Sequence, residues 1–282
     1  MRLIEFKSGG DTLRGTLYEP NAPRPHPAII FAHGLLSTRD EFGDYPQKFC
    51  ERGYLALAFD FRGHGASEGL RGYVSEANWV EDLQNAIDYI EAHPGVDNDR
   101  IALFGHSLGG GAVICATAHD ARVRAVVAGA TVGRLRDEIA PSELGLYQNA
   151  MRFNEWQKRF THKSLYLPYR VGYKDIFADD AARITAERDG FLQRWICADS
   201  IPNLLTQDAL ACAANVRVPA LIVQGELDKV VQPASTRKVF DTIPGDKEYY
   251  VVPGSGHSFA TDAGGAQAFQ HIAAWMEKQF SR

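Results

Sequence analysis

The chain predicts an α/β protein with a mostly parallel central sheet flanked by helices. Two observations carry that expectation. First, short apolar runs of strand type recur at residues 28–32, 55–61, 101–104, 124–131, 218–224 and 247–252. Largely apolar, and alternating with helices, such runs imply a parallel sheet covered on both faces. Second, helical stretches alternate with them. Between residues 79 and 93, Trp79, Val80, Leu83, Ala86, Ile87 and Ile90 recur at helical spacing until Pro94-Gly95 ends the run.

In chain order, residues 2–19 read as a hairpin turning at Ser8-Gly9-Gly10-Asp11. A proline-rich connector leads into the strand that ends at His33-Gly34. Residues 47–53 read as the end of a helix stopped by glycine. Helices over 234–243 and 263–280 follow the last two strands. The stretch 132–205 breaks the alternation, so the core is expected over 1–131 and 206–282, with 132–205 a mainly helical lid insertion. That stretch carries charges of both signs and many aromatics, and 181–195 reads as helical. Its aromatics suit either a small core of its own or the wall of a pocket. His33, Tyr147, Tyr173 and Trp195 are the candidate pocket residues.

Bulk properties narrow the function class. A chain of 282 residues buries a full core without metals or disulfides. A net charge of −5 leaves no basic footprint, so nucleic acid is not an expected partner. Cys50, Cys115, Cys197 and Cys212 are far apart and form no C-x-x-C pair, so they are expected as reduced, buried thiols. The N-terminus has no apolar signal core and no run reaches membrane-spanning length. A cytoplasmic location is expected, with no metal. No heptad or exposed apolar stripe points to an oligomeric state.

The chemistry centres on residues 100–115. A strand-type run passes through Gly105-His106-Ser107-Leu108-Gly109 into a small-residue run of buried-helix type. Strand, sharp turn with one serine, then helix is the geometry of a nucleophile elbow. Gly105 and Gly109 let strand and helix approach without Cβ clashes. The helix N-terminus points N–H groups at an anion formed on the serine's substrate. The same pattern recurs at Gly65-Ala-Ser67-Glu-Gly69, but there the strand has already ended and no helix follows directly. Ser67 is therefore read as a loop serine and Ser107 as the nucleophile.

A serine hydroxyl needs a base within hydrogen-bond reach and an acid that orients the base. In open parallel sheets, sites form at the carboxyl ends of strands. His257 follows the strand at 247–252 in a glycine-flanked turn, and is the candidate base among nine histidines. Asp228 follows the strand at 218–224 and is the candidate acid, with Glu226 the alternative. Asp60 is expected to shape its own loop, and His64 to sit behind the site. His106, beside the nucleophile, is expected to point away from it. The oxyanion donors are expected to be the backbone N–H groups of Leu108 and of Leu35, in the loop after His33-Gly34.

His33-Gly34, Asp60-Phe-Arg62-Gly63-His64-Gly65-Ala-Ser67, Gly105-His-Ser-Leu-Gly109, Gly225-Glu-Leu-Asp228 and Gly256-His257 together resemble the α/β-hydrolase fold serine hydrolases. They run in that family's order across the whole core. The stretch from Arg62 to Tyr73 is similar to monoglyceride-lipase-like and serine-aminopeptidase-like members. The N-terminal hairpin resembles bacterial esterases near dienelactone hydrolase. The resemblance implies cofactor-free hydrolysis of a carboxylic ester, thioester or amide, and a small-molecule, ester-like substrate. Ser107 argues against the branches that carry Asp at the nucleophile. Three readings follow: an esterase working through an acyl-enzyme; the same machinery cleaving a thioester, an amide or a C–C bond or transferring the acyl group; or a non-catalytic binding protein on this fold.

Overall fold

A computed structural model describes residues 1–281. Its strands are β1 (Arg2–Ser8), β2 (Asp11–Tyr18), β3 (His26–Ala32), β4 (Leu55–Asp60), β5 (Val96–His106), β6 (Val123–Gly129), β7 (Tyr166–Pro168), β8 (Trp195–Cys197), β9 (Ala220–Gly225) and β10 (Lys247–Val252). Eight of them form one sheet in the order β1-β2-β4-β3-β5-β6-β9-β10. Only the β1–β2 and β2–β4 pairs are antiparallel; the rest of the ladder is parallel. The carboxyl ends of β3, β4, β5, β6, β9 and β10 therefore lie along one edge.

The two faces of the sheet feed two separate cores, as a side-chain period of two dictates. From β3, Ala28, Ile30 and Ala32 pack with Trp79, Leu83 and Ile87 of the helix Glu76–Glu91 and with Val113 of the helix Leu108–His119. The intervening Ile29 and Phe31 pack on the opposite face with Phe49, Phe269 and Ile272, from the helices Tyr45–Glu51 and Gly265–Phe280. The helix Leu108–His119 is buried from Leu108 through Thr117, which explains its small, apolar composition.

Residues 132–205 lie between β6 and β9 and hold the helices Leu135–Glu138, Pro141–Thr161, Tyr173–Ile176, Asp180–Asp189 and Ile201–Thr206, with β7 and β8 paired antiparallel. The helix expected over 181–195 ends early. Gly190 takes a left-handed φ of 73° at its end, and Trp195–Cys197 goes into β8 instead. Ile176, Phe177, Ala186 and Phe191 form a small core of the insertion's own. Contrary to the expectation of no apolar stripe, Leu146, Phe153, Trp156 and Phe160 stay exposed along the helix Pro141–Thr161. Among the described residues, no helix is long and apolar enough to cross a membrane.

The expectation of four reduced thiols is corrected. The short helix Ala209–Ala213 packs against Leu108–His119 and brings Cys115 and Cys212 into a disulfide, with Cα atoms 4.9 Å apart. Cys50 and Cys197 remain free. The pair joins residues 97 apart in the chain, a loop whose closure stabilises a folded chain by about 4–5 kcal/mol in the chain-entropy account. Thiol titration of the denatured, unreduced protein is expected to find two thiols per chain, and reduction to lower the melting temperature. Four thiols without reductant would contradict the pairing.

Candidate active site

Ser107 sits where β5 hands over to the helix Leu108–His119, with φ 55° and ψ −122°. Positive φ is costly for a residue with a side chain and persists only where the surroundings enforce it. Here they do. The Ser107 N–H donates to the Gly129 carbonyl of β6 at 2.8 Å, and its carbonyl accepts from Gly110 N–H at 3.0 Å. A Cβ on Gly105 would run into the Gly109 carbonyl, and one on Gly109 into the His33 carbonyl. Only glycine lets strand, helix and the loop after β3 meet this closely. The competing Ser67 is spent elsewhere: its hydroxyl donates to the Asp60 carbonyl at 2.5 Å and accepts from Arg14 N–H at 2.8 Å.

The loop after β3 rests on the elbow. A Cβ on Gly34 would lie 3.1 Å from that of Ser107. Ser37 N–H donates to the Gly34 carbonyl at 3.2 Å, closing a turn through Leu35 and Leu36, the latter at φ 55°. Among the described residues, the N–H groups of Leu35 and Leu108 have no protein acceptor. Both flank Ser107 and are free to receive an anion.

Asp228 and His257 meet across the ends of β9 and β10. His257 Nδ1 lies 2.9 Å from Asp228 Oδ2, and both side chains are buried. The remaining lone pairs of Asp228 accept Gln224 Nε2 at 3.0 Å, Val230 N–H at 2.8 Å and Val231 N–H at 3.0 Å. Burial raises the Asp228 carboxyl, but His257 and the two backbone N–H groups outweigh it and hold it below its ordinary value. The carboxylate is therefore an acceptor, and Nδ1 of His257 carries the proton. Glu226, the alternative acid, is exposed and caps the Gly254 N–H at 2.8 Å. Asp60 shapes its loop, binding Arg39 at 2.7 Å and Ala66 N–H at 2.9 Å. His64 lies fully buried against His33 and Trp79, where burial lowers its pKa to about 3 and keeps it neutral.

Ser107, His257 and Leu35 line one cavity of about 20 Å³, closed from the insertion side by Tyr169, Val171, Ile176, Phe191 and Leu192. That volume holds about one water molecule. Two larger clefts flank it. One of about 780 Å³ carries Asp40, Asp44, Asp189 and Lys48. The other, of about 390 Å³, carries Arg71, Arg194, Tyr166 and Trp195. Phe191 borders all three spaces.

None of the four residues expected in the pocket lines this cavity. His33 is buried, accepts Phe61 N–H at Nε2 (3.1 Å) and so carries its proton on Nδ1, which donates to the Gly34 carbonyl at 2.8 Å. It braces the loop from behind. Tyr173 stands behind the wall, stacking on Phe177 and accepting Leu192 N–H at 3.0 Å. Trp195 lies on the outer 390 Å³ cleft, and Tyr147 is on the helix Pro141–Thr161, away from the cavity lining. Tyr169, Val171, Ile176, Phe191 and Leu192, which do line it, come from the aromatic-rich insertion, where composition marked the region without picking the members. Glu41 also lines the cavity and nothing in the sequence pattern marks it. Among the described residues, no group of His, Cys, Asp or Glu is arranged to hold a metal.

Comparisons with known proteins agree with this architecture. The family model described as serine aminopeptidase, S33, matches residues 23–264. An uncharacterized 31.7 kDa protein from the traX-finO intergenic region of Escherichia coli is 29% identical over 280 residues, covering 95% of this chain and 94% of that one. The polyketide transferase af380 of Aspergillus fumigatus is 28% identical over 289 residues, covering 98% and 97%. The crystal structure of the alpha/beta hydrolase GrgF from a Penicillium species superposes with a TM-score of 0.86 at 24% identity, covering 100% of this chain and 99% of that one. The chain is a member of the serine aminopeptidase S33 family and has the α/β-hydrolase fold.

Proposed function

We propose that this hydrolase cleaves carboxylic esters through an acyl-enzyme on Ser107. The observation that carries the reading is the Asp228–His257 hydrogen bond at the cavity that also holds the strained Ser107. His257 Nε2 takes the Ser107 hydroxyl proton as Oγ bonds to the substrate carbonyl carbon. Asp228 holds the ring's tautomer and stabilises the imidazolium. The Leu35 and Leu108 N–H groups receive the oxyanion, normally a large share of the rate enhancement. Collapse breaks the C–O bond, and His257 returns the proton to the departing alcohol. Water then attacks the acyl-enzyme by the same steps in reverse, releasing the acid and restoring Ser107.

Residues 132–205 act as the lid in this reading. The space beside Ser107 is narrow, about 20 Å³, and in this reading Phe191 and its neighbours shift as substrate enters. The lid wall of Val171, Ile176, Phe191 and Leu192 favours an apolar acyl part. An aminopeptidase would need a carboxylate for the substrate amine, and Glu138, Glu143, Glu155, Asp175, Asp179 and Asp180 are available in the insertion. None lines the chamber, which supports ester over aminopeptidase chemistry. A second reading, acyl transfer to an acceptor other than water, is favoured by the relative named as a polyketide transferase. A Cys115–Cys212 disulfide is more usual outside reducing compartments.

Three outcomes test the reading. Ser107→Ala is expected to lower turnover of p-nitrophenyl esters by about 10⁵-fold and to abolish fluorophosphonate labelling, with the melting temperature unchanged. Labelling that persists in that variant contradicts it, and aminoacyl anilides turned over faster than esters would contradict the ester assignment. On the acid side, kcat/KM is expected to fall with a slope of one. Asp228, held below its ordinary pKa, stays ionised there and adds no second proton to that limb. A slope of two would show Asp228 titrating as well. Phe191→Ala is expected to raise kcat/KM for long-chain esters over short ones by roughly tenfold, the scale of one or two methylenes in an apolar pocket. An unchanged chain-length profile would remove Phe191 from the substrate path.

A further inference from the structure

One buried ion pair at the site has no part in the steps above. Glu41 lies on the short 3₁₀ turn Arg39–Phe42 and is 5% exposed; His106, beside Ser107, is 6% exposed. Glu41 Oε1 accepts the Gly34 N–H at 2.7 Å and lies 3.2 Å from His106 Nδ1. The other ring nitrogen of His106, Nε2, lies 2.9 Å from the backbone carbonyl of His257. A carboxylate faces one nitrogen and a carbonyl the other. Both are acceptors only, so both nitrogens carry protons and His106 is an imidazolium. Burial alone would favour the neutral forms. Each partner outweighs that for the other, lowering the Glu41 carboxyl and raising His106.

The partners of this pair are the three segments that must keep register for acyl transfer. Gly34 precedes Leu35, the proposed oxyanion donor, and packs on Ser107. His106 precedes Ser107 in the chain. His257 is the proposed base, and its ring is already held by Asp228 at Nδ1. His106 holds the same residue by its backbone, with the two rings 4.7 Å apart. Three strand ends, those of β3, β5 and β10, are thus tied through two side chains. Displacements of about 1 Å among such groups cost roughly a hundredfold in rate.

We propose that Glu41 and His106 are positioning residues that lock the oxyanion loop and the backbone of the base into one frame around the nucleophile. Glu41 faces the chamber in this role as a structural anion and not as a ligand for substrate, because its charge is neutralised by His106. The proposal rests on the reading of Ser107 and His257 as nucleophile and base.

The test uses the full chain with Glu41→Gln, His106→Gln and the double variant, active sites being counted by fluorophosphonate titration. Gln at 41 keeps an acceptor for Gly34 N–H but loses the charge. Each single variant is expected to lower kcat per titrated site by about ten- to a hundredfold with KM within about threefold. The double variant is expected to be no slower than the slower single one, since the pair acts as a unit. Full per-site kcat with a reduced melting temperature would reduce the pair to a stability element and overturn the proposal. A raised KM at unchanged kcat would make Glu41 a substrate ligand, and also overturn it. Should Glu41→Gln fail to fold, His106→Gln alone carries the same decision. Ser107→Ala run beside them separates the two levels: turnover in that variant rejects the nucleophile assignment, whereas an inactive Ser107→Ala with fully active Glu41→Gln and His106→Gln rejects only the role of the pair.

Discussion

The left-handed backbone of Ser107 is the constraint on which the rest of the site depends. A side chain at φ 55° is unfavourable by about 1–3 kcal/mol unless its surroundings leave no alternative. Three features remove the alternatives. The Gly129 carbonyl of the neighbouring strand holds the Ser107 N–H, Gly105 and Gly109 let strand and helix close on the turn, and the fully buried helix Leu108–His119 fixes where the chain must go next. The strain lifts the serine out of the sheet and leaves the Leu108 N–H unpaired beside it. The close approach of Gly109 to His33 also draws the loop after β3, with Leu35, onto the same spot.

The sheet order turns this local feature into a site. Parallel neighbours β3, β5, β6, β9 and β10 deliver their carboxyl ends to one edge, so residues from distant parts of the chain converge without long loops. Asp228 and His257 arrive from the two strands beyond β6. Arg62, after β4, is tied to Asp82 and Ser8 instead, and there the same edge is stabilised and not made reactive. The insertion leaves the core at the end of β6 and returns at β9, which puts its apolar residues over Ser107. It serves as its own small core through Phe177 and Ala186 and as a wall through Tyr169, with Ile176 and Phe191 in both roles.

The core and the proposed triad were legible because each leaves a local mark. Apolar runs of six or seven residues, glycines around a serine, and an acid or a histidine just past a strand end are all short-range patterns. What escaped depends on contacts between segments remote in sequence. Glu41 sits in Thr38-Arg39-Asp40-Glu41, where no periodicity distinguishes the buried acid from its exposed neighbour. Cys115 and Cys212 look like ordinary small core residues until two helices are packed together. Tyr147, Tyr173 and Trp195 were as aromatic as Tyr169 and Phe191, which do line the cavity. The lining was chosen by how the insertion folds back, through Gly190 and the β7–β8 pair. The helix Pro141–Thr161 was missed because its large apolar residues Leu146, Phe153, Trp156 and Phe160 face outward, so its pattern does not report a core.

The central claim is a covalent acyl intermediate on Ser107, and it is tested most directly by mapping that adduct. Acid quenching during turnover of a p-nitrophenyl ester, followed by proteolysis and mass spectrometry, should find the acyl mass on the peptide that contains Ser107 and lose it on longer incubation. An adduct on Ser67 or on a cysteine, or turnover with no adduct at any time, would contradict the account.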